Sequence, residues 1–526
     1  MPNFARLAMT LSALMTALAL PAQSGAKAAA RKLKAAVRAV DVSTESGDAV
    51  SAAVAAVQAF DGRVGASALL DAIEQLDGRV AAVSASRRKG LMRAGGSGRL
   101  KRSRYELRNL TDAQHAAADA LAKMNDPAAL RAMASRVVAR GSAMPLWLRL
   151  QLAGRMAELS KVELDWSKQG QKKVGVDTRI ALIHAAQALG GRAGAACGGW
   201  LVAQLHDECR DVRRAAVQAL SRLAWPGAIE PLIGRLERES GEDRERLLDA
   251  LVVLTSQNPG ASAASWQAWL KAEGAPFLAG ERELSHGDAS VRVPDPEANT
   301  AAGAYFGIEQ QGESILYVFD NSLSMQAALK KPTGKGANAK DGAGERGASK
   351  GATRWQMCKQ ELRRGLRALR PEQRFNLVSF ANKARSFGAE MQPATKENVE
   401  RAIEWVDGLK LELQTNVYDA LELAFQLAGR GVDDRYYAPA VDTMFFLSDG
   451  APTIANLMSG GMTQDDSDRI LRAVGRWNAL GRVRIHAVAL GMQKRTKDRN
   501  KKGRLWPYIF LKLLAEQNGG TLAWKR

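Results

Sequence analysis

Apolar positions along the chain follow two rhythms, and the change falls near residue 303. Before it they recur at helical spacing, so that Leu69, Leu70, Ile73, Leu76, Val80 and Val83 share one face of an expected helix. From Lys27 to about Arg140 the sequence is rich in Ala, Leu, Arg, Lys and Glu, which predicts helices throughout. A Gly and Arg/Lys-rich patch from Arg87 to Arg104 reads as a solvated loop that breaks them. Thr111-Asp112 offers an N-cap for a helix through Met124, and Asp126-Pro127 starts another that Gly141 to Pro145 closes. An internal repeat follows: Ala188-Leu189, Ala219-Leu220 and Ala250-Leu251 fall at successive intervals of 31 residues. Leu201 and Leu205 return at the same step as Leu232 and Leu236, and after three inserted residues as Trp266 and Leu270. Helix pairs at a fixed step imply stacked units, each burying its apolar face on the next. From Gly274 to Thr300 the periodicity lapses and Pro276, Gly280, Pro294 and Pro296 gather, as in a linker.

Beyond 303, strand-like apolar runs at 314–319, 375–380, 443–447, 484–490 and 521–524 alternate with helical patterns at 355–368, 396–407, 416–428, 465–479 and 507–518. Alternation of this kind needs crossover connections, which predicts an α/β, doubly wound, mostly parallel sheet behind an all-α region. The repeat Asp211-Val212-Arg213-Arg214, followed by Gly227-Ala-Ile-Glu-Pro-Leu-Ile, is similar to a HEAT-type repeat. That resemblance implies a scaffold or protein-binding surface, with a helical cap that merely packs on its neighbour as the alternative. The expected organisation is a leader at 1–26, a helical region at 27–145, HEAT-like repeats at 146–273, a linker at 274–303 and an α/β domain at 304–526.

Composition adjusts this picture in three ways. A formal charge of +20, from 75 Lys and Arg against 55 Asp and Glu, favours acidic partners: acidic protein faces, anionic polymers or surfaces. No aromatics interleave with the basic residues, so specific nucleic-acid recognition is not expected. The three cysteines Cys197, Cys209 and Cys358 stand at unrelated spacings, which predicts buried, inert thiols rather than a disulfide framework or a zinc site. Arg6, the apolar run Leu7 to Leu20 and the small residues at Pro21-Ala22 or Gly25-Ala26 read as a secretory signal, too short for a span, with an uncleaved anchor as the alternative. The expected location is extracytoplasmic.

Candidate chemistry centres on the first strand of the α/β half. The run Ser314-Ile-Leu-Tyr-Val-Phe ends in Asp320-Asn-Ser322-Leu-Ser324-Met, so a buried strand delivers three oxygen groups into one loop. Thr415-Asn416 opens a later helix, and the strand Thr443-Met-Phe-Phe-Leu-Ser ends at Asp449-Gly450. Asp320, Ser322, Ser324, Thr415 and Asp449 resemble the metal-ion-dependent adhesion site of von Willebrand factor A domains. Arg374-Phe-Asn-Leu-Val-Ser-Phe, Thr415-Asn-Val-Tyr-Asp-Ala-Leu, Phe446-Leu-Ser-Asp-Gly-Ala-Pro-Thr and Leu513-Leu-Ala-Glu-Gln-Asn-Gly-Gly extend the similarity over about 304–526. The resemblance implies a divalent cation, Mg²⁺ first with Mn²⁺ or Ca²⁺ as alternatives, and a protein partner that donates an Asp or Glu carboxylate. It implies recognition and not hydrolysis. Leu323 departs from the pattern, since that family usually has Gly there.

Loops that leave the carboxyl ends of strands share one rim with Asp320. Two of them are basic: Lys330 to Arg354, and the run Lys494, Arg495, Lys497, Arg499, Lys501, Lys502 and Arg504. They form an expected cationic ligand rim, with solvated charge runs as the alternative. Asp465, Asp466 and Asp468 oppose it. No phosphate-binding Gly-rich loop with Lys-Ser/Thr is present, nor His-Glu-x-x-His, and no His stands near Ser322 or Ser448 in sequence to act as a base. The expected function is a non-enzymatic binding protein. The alternatives are a structural scaffold with a metal-free α/β domain, or an accessory subunit of a metal-dependent or ATPase complex.

Overall fold

The computed structural model describes residues 24–91, 97–139, 144–159, 175–189, 194–285, 304–329, 352–428, 440–455, 462–464, 467–494, 497–500 and 505–525. Of the predicted leader at 1–26, residues 1–23 lie outside them, and of the linker at 274–303, residues 286–303. The chain divides into two compact units, Met1–Ala193 and Gly194–Arg526. Among the described residues no helix is long and apolar enough to cross a membrane.

The first unit is helical: α1 (24–39), α2 (Thr44–Gln58), α3 (Arg63–Leu91), α4 (Ser97–Lys123), α5 (Pro127–Val138), α6 (Leu146–Leu159) and α7 (Val176–Leu189). Leu69, Leu70, Ile73 and Leu76 are buried together, as their spacing predicts. Asp126 caps α5 by accepting from the backbone N–H groups of Ala128 and Ala129 at 2.7 and 3.1 Å. The basic patch is not the expected solvated loop where it is described, because α3 runs on to Leu91 and α4 begins at Ser97. Arg and Lys are good helix formers, and a buried seat for Arg87, whose Nη1 donates to Ser103 Oγ at 3.3 Å, ties the two helices across the patch. Thr111 is likewise no cap. It lies inside α4 and its hydroxyl donates back to the Arg108 carbonyl at 3.0 Å.

The second unit opens with α8 (Gly194–Gln204), α9 (Arg210–Leu223), α10 (Ile229–Arg235), α11 (Gly241–Thr255) and α12 (Ala263–Glu273). Of the repeat positions, Leu201, Leu205, Ala219, Leu220, Leu232, Leu236, Ala250, Leu251 and Trp266 are buried, Leu270 is half-buried, and the side chains of Ala188 and Leu189 lie outside the description. A small hairpin of β1 (Ala304–Tyr305) and β2 (Ile308–Glu309) precedes the main sheet. That sheet holds β3 (Ser314–Asp320), β4 (Arg374–Phe380), β5 (Ala384–Ser386), β6 (Gln392–Pro393), β7 (Thr443–Ser448), β10 (Arg484–Leu490) and β11 (Leu522–Lys525), while β8 (Thr453–Ala455) and β9 (Met462–Gln464) form a separate hairpin. Its order is β11-β10-β7-β3-β4-β5, with β6 also on β4. The five predicted strands are parallel, and only the short β5 and β6 run antiparallel.

Alternate residues of each strand serve opposite faces. Leu316, Val318, Val378, Phe380, Met444, Phe446 and Ile485 pack under α15 (Val417–Leu427), α16 (Ser467–Trp477) and α17 (Pro507–Glu516). Ile315, Tyr317, Phe319, Phe375, Leu377, Phe445 and Leu447 pack under α13 (Arg354–Arg367) and α14 (Lys396–Gly408). Helices on both faces of a mostly parallel sheet make the doubly wound fold the sequence predicted.

The helical repeats meet this sheet at the amino ends of its strands, through buried charge. Arg482 forms a fork on Asp211, Nε to Oδ1 at 2.9 Å and Nη2 to Oδ2 at 2.6 Å. Arg484, fully buried at the start of β10, pairs with Glu242 and reaches Asp249 Oδ2 at 3.1 Å. Arg246 Nη2 donates to the Gly481 carbonyl at 2.8 Å, and Ser240 Oγ to Glu313 Oε1 at 3.0 Å. The opposite, carboxyl ends of the strands carry the candidate site.

A candidate metal centre at the carboxyl ends of the strands

β3 and β7 lie side by side in parallel register, with Phe319 beside Leu447, so their carboxyl ends deliver Asp320 and Ser448 to the same level. Ser448 Oγ donates to Asp320 Oδ2 at 2.8 Å, while Asp320 Oδ1 accepts the Ser322 N–H at 2.8 Å. The chain then turns through a short 3₁₀ segment, Leu323–Gln326, plugged by the buried side chain of Met325. That turn brings Ser322 Oγ and Ser324 Oγ within 2.9 Å of one another, and Ser324 Oγ donates to Asp449 Oδ1 at 2.7 Å. Four of the five expected positions are therefore joined in one hydrogen-bonded cluster.

Thr415 comes from a segment stitched to the same turn. Leu323 N–H donates to the Glu412 carbonyl at 2.7 Å, Glu412 N–H to the Asn321 carbonyl at 3.0 Å, and Asn321 Nδ2 to the Lys410 carbonyl at 2.9 Å. Gln414 has φ of 75°, left-handed territory that a side chain with a Cβ seldom enters. Strain of this kind persists where surrounding contacts hold it, and here it directs the buried Thr415 into the start of α15, which Asn416 caps by accepting from Asp419 N–H at 3.3 Å.

The electrostatics follow from burial. Asp320 is fully buried, and desolvation, followed by the neighbouring Asp449 carboxylate, pushes its carboxyl up to about 7. No group of three or more His, Cys, Asp and Glu side chains stands in a metal-holding arrangement among the described residues. The five expected positions offer two carboxylates and three hydroxyls, all hard oxygen, and residues of that chemistry would suit a cation of the Mg²⁺ class. A hydroxyl whose proton goes to a carboxylate, as in Ser324 to Asp449, keeps its lone pairs for such an ion.

The expected basic loop Lys330 to Arg354 contributes its last residue to the site, through a contact that the sequence did not announce. Arg354 Nη1 donates to Asp449 Oδ2 at 2.7 Å, and the Asp449 side chain is fully buried. Arg354 Nη2 reaches the Gly491 carbonyl at 3.3 Å. Gly491 has φ of 65°, and a Cβ there would run into the Arg354 guanidinium, so the seat exists only for glycine. The legible signal was Thr353-x-x-Gln356, which forms a capping box and fixes Arg354 as the first residue of α13. The strand ends around it are also tied, since Arg354 N–H donates to the Ala327 carbonyl at 3.0 Å and Ala328 bridges to Thr353.

The expected cationic rim is described in part. Arg495, Lys501, Lys502 and Arg504 lie outside the described residues, as do 330–351 and Asp465 and Asp466. Of the remainder, Arg499 is held on Asp468 by two hydrogen bonds at 2.8 Å, Lys494 Nζ sits 4.4 Å from the centre of the Trp524 ring, and Lys497 is exposed. Leu323 points outward, 44% exposed, and does not fill the cluster. Cys197 and Cys358 are buried with thiols pushed up by desolvation, whereas Cys209 is half-buried. His486 is buried, stacked on Phe445, and accepts the Thr521 N–H at 3.1 Å.

Comparison with known proteins agrees with this architecture. Residues 344–523 match the family model of the von Willebrand factor type A domain, and residues 178–252 match that of HEAT repeats. The chain is thus similar to von Willebrand factor A domains over its carboxyl-terminal third and to HEAT repeats before it. It is 26% identical over 166 residues to inter-alpha-trypsin inhibitor heavy chain H4 of Homo sapiens, covering 31% of this chain and 16% of that protein. Heavy chain H4 of Bos taurus is 30% identical over 87 residues, covering 16% and 10%. The matched stretch thus spans less than a fifth of these relatives. Among solved structures, an aerotolerance-related membrane protein from Bacteroides fragilis overlaps 41% of this chain and 92% of its own at 12% identity and a TM-score of 0.26.

Proposed function

We propose that this protein is a non-enzymatic, extracytoplasmic binding protein whose von Willebrand A domain engages a partner's Asp or Glu carboxylate through a divalent cation, with the helical repeats as its scaffold. The observation that carries this reading is the convergence of Asp320, Ser322, Ser324 and Asp449 in one buried, all-oxygen cluster on the rim of the sheet. When bound, the cation supplies an electrophilic position that an external carboxylate completes. The chain's own residues do the rest. Asp320 and Asp449 hold the two serines in place, and the Glu412 to Thr415 segment, stitched to Leu323, brings the third hydroxyl. Mg²⁺ suits these donors, and the charge of +20 favours acidic partners.

One observation favours a second reading, a metal-free domain that acts through its helical repeats: Arg354 already supplies a positive charge to Asp449. Isothermal titration of the full chain with Mg²⁺, Mn²⁺ and Ca²⁺ separates the two. The expected result is saturable binding that Asp320→Ala abolishes. Silence in both proteins would favour the metal-free domain.

A further inference from the structure

We infer that Arg354 is a resident counter-ion of the metal centre, which weakens the site for a divalent cation alone and couples ion binding to the arrival of a carboxylate. The inference rests on the proposed metal reading and deepens it, by saying what sets the site's affinity and what class of ligand completes it.

Asp320 and Asp449 are buried carboxylates, and Arg354 places one guanidinium directly on Asp449. A divalent ion added to two carboxylates alone would give a neutral site. Added to two carboxylates and a guanidinium, it leaves one positive charge in excess. Excess charge away from water is unfavourable, and unlike an exposed pair it is poorly screened by salt. One carboxylate from outside removes the excess, so ion and carboxylate favour each other's binding, and linkage makes that preference reciprocal.

The arrangement is built and not incidental. The guanidinium is anchored at two places, on Asp449 Oδ2 and on the Gly491 carbonyl, and it lies where a Cβ on residue 491 would otherwise stand. Its backbone is set by the capping box at Thr353 and by the hydrogen bond to the Ala327 carbonyl. Asp449 meanwhile offers its other oxygen, Oδ1, to Ser324. Arg354 thus holds the carboxylate that orients a ligating hydroxyl, and its charge opposes the ion that the hydroxyl would bind.

The test uses the full chain, Mn²⁺ as the probe ion and acetate as the probe carboxylate, at constant ionic strength. Wild type is expected to bind Mn²⁺ more tightly when acetate is present. Arg354→Gln should bind Mn²⁺ alone at least about tenfold more tightly than wild type and lose most of the acetate dependence. Arg354→Lys keeps the charge and should stay close to wild type. Loss of a merely structural contact would weaken ion binding, so the direction of change is the discriminating readout. Mn²⁺ binding in wild type that Arg354→Gln leaves unchanged or weaker would overturn this inference and leave the metal reading standing. An absence of Mn²⁺ binding in both proteins, each folded by circular dichroism, would overturn both.

Discussion

At the scale of single residues, the buried carboxylates behave according to their surroundings. Asp442, just before β7, accepts through Oδ2 from the N–H groups of Glu313 and Ser314 at 2.9 and 3.0 Å, which ties the amino ends of β7 and β3. Burial first, and then the Glu242 charge, push its carboxyl up to about 6 from a usual 3.8. A folded pKa above the unfolded one means that the native state retains a proton the unfolded chain has released. Its contribution is full below about pH 4, falls as the pH rises to about 6 and is level beyond. Asp442→Asn keeps the acceptor and removes the ionisation. In urea unfolding the variant should match wild type near pH 4 and exceed it by about 2–3 kcal/mol at pH 7. An unchanged difference across that range would refute the assignment. Residues of this kind divide by how visible they were. Asp320 and Asp449 could be read because each ends an apolar run, whereas Arg354 could be read only as the end of a basic loop and Gln414 not at all. The role of Arg354 depends on a partner 95 positions away, and that of Gln414 on a backbone angle that no side-chain pattern announces.

At the scale of elements, the sheet was readable because its parallel strands are buried on both faces and so appear as continuous apolar runs. The strands β5 and β6 were missed, being too short, at three and two residues, to show an alternation. Of the expected loop at 87–104 the described residues are helical, because long basic side chains extend helices as readily as they line loops, and charge density alone does not signal solvation. The Gly519-Gly520 pair after α17 has a mechanical cause. Gly519 has φ of 68°, and a Cβ on Gly520 would strike the Ile485 carbonyl of β10. Backbone is a poor yielding partner, so Gly520→Ala should lower stability by about 3 kcal/mol or more and disturb the pairing of β10 with β11. Thermal unfolding within about 1 kcal/mol of wild type would show that the turn can shift.

At the scale of the whole second unit, the repeats and the α/β domain are joined by charge, which hydrophobic periodicity cannot reveal. Asp211 was legible only as part of a repeat pattern, while Arg482 and Arg484, just before and at the start of a strand, gave no sign of a partner more than two hundred positions earlier. Removing one member of a buried pair strands the other. Asp211→Ala should therefore cost about 3–5 kcal/mol in urea unfolding, with little dependence on salt. A strong salt dependence would place the pair in solvent. The two ends of the strands thus differ, one gripped by the helices and the other carrying the buried Asp320 cluster. If a partner held at that rim were pulled while the helices stayed fixed, the force would run lengthwise along β3 and β7. Parallel neighbours loaded along their length resist by shear, with their ladder bonds strained together instead of parting one after another.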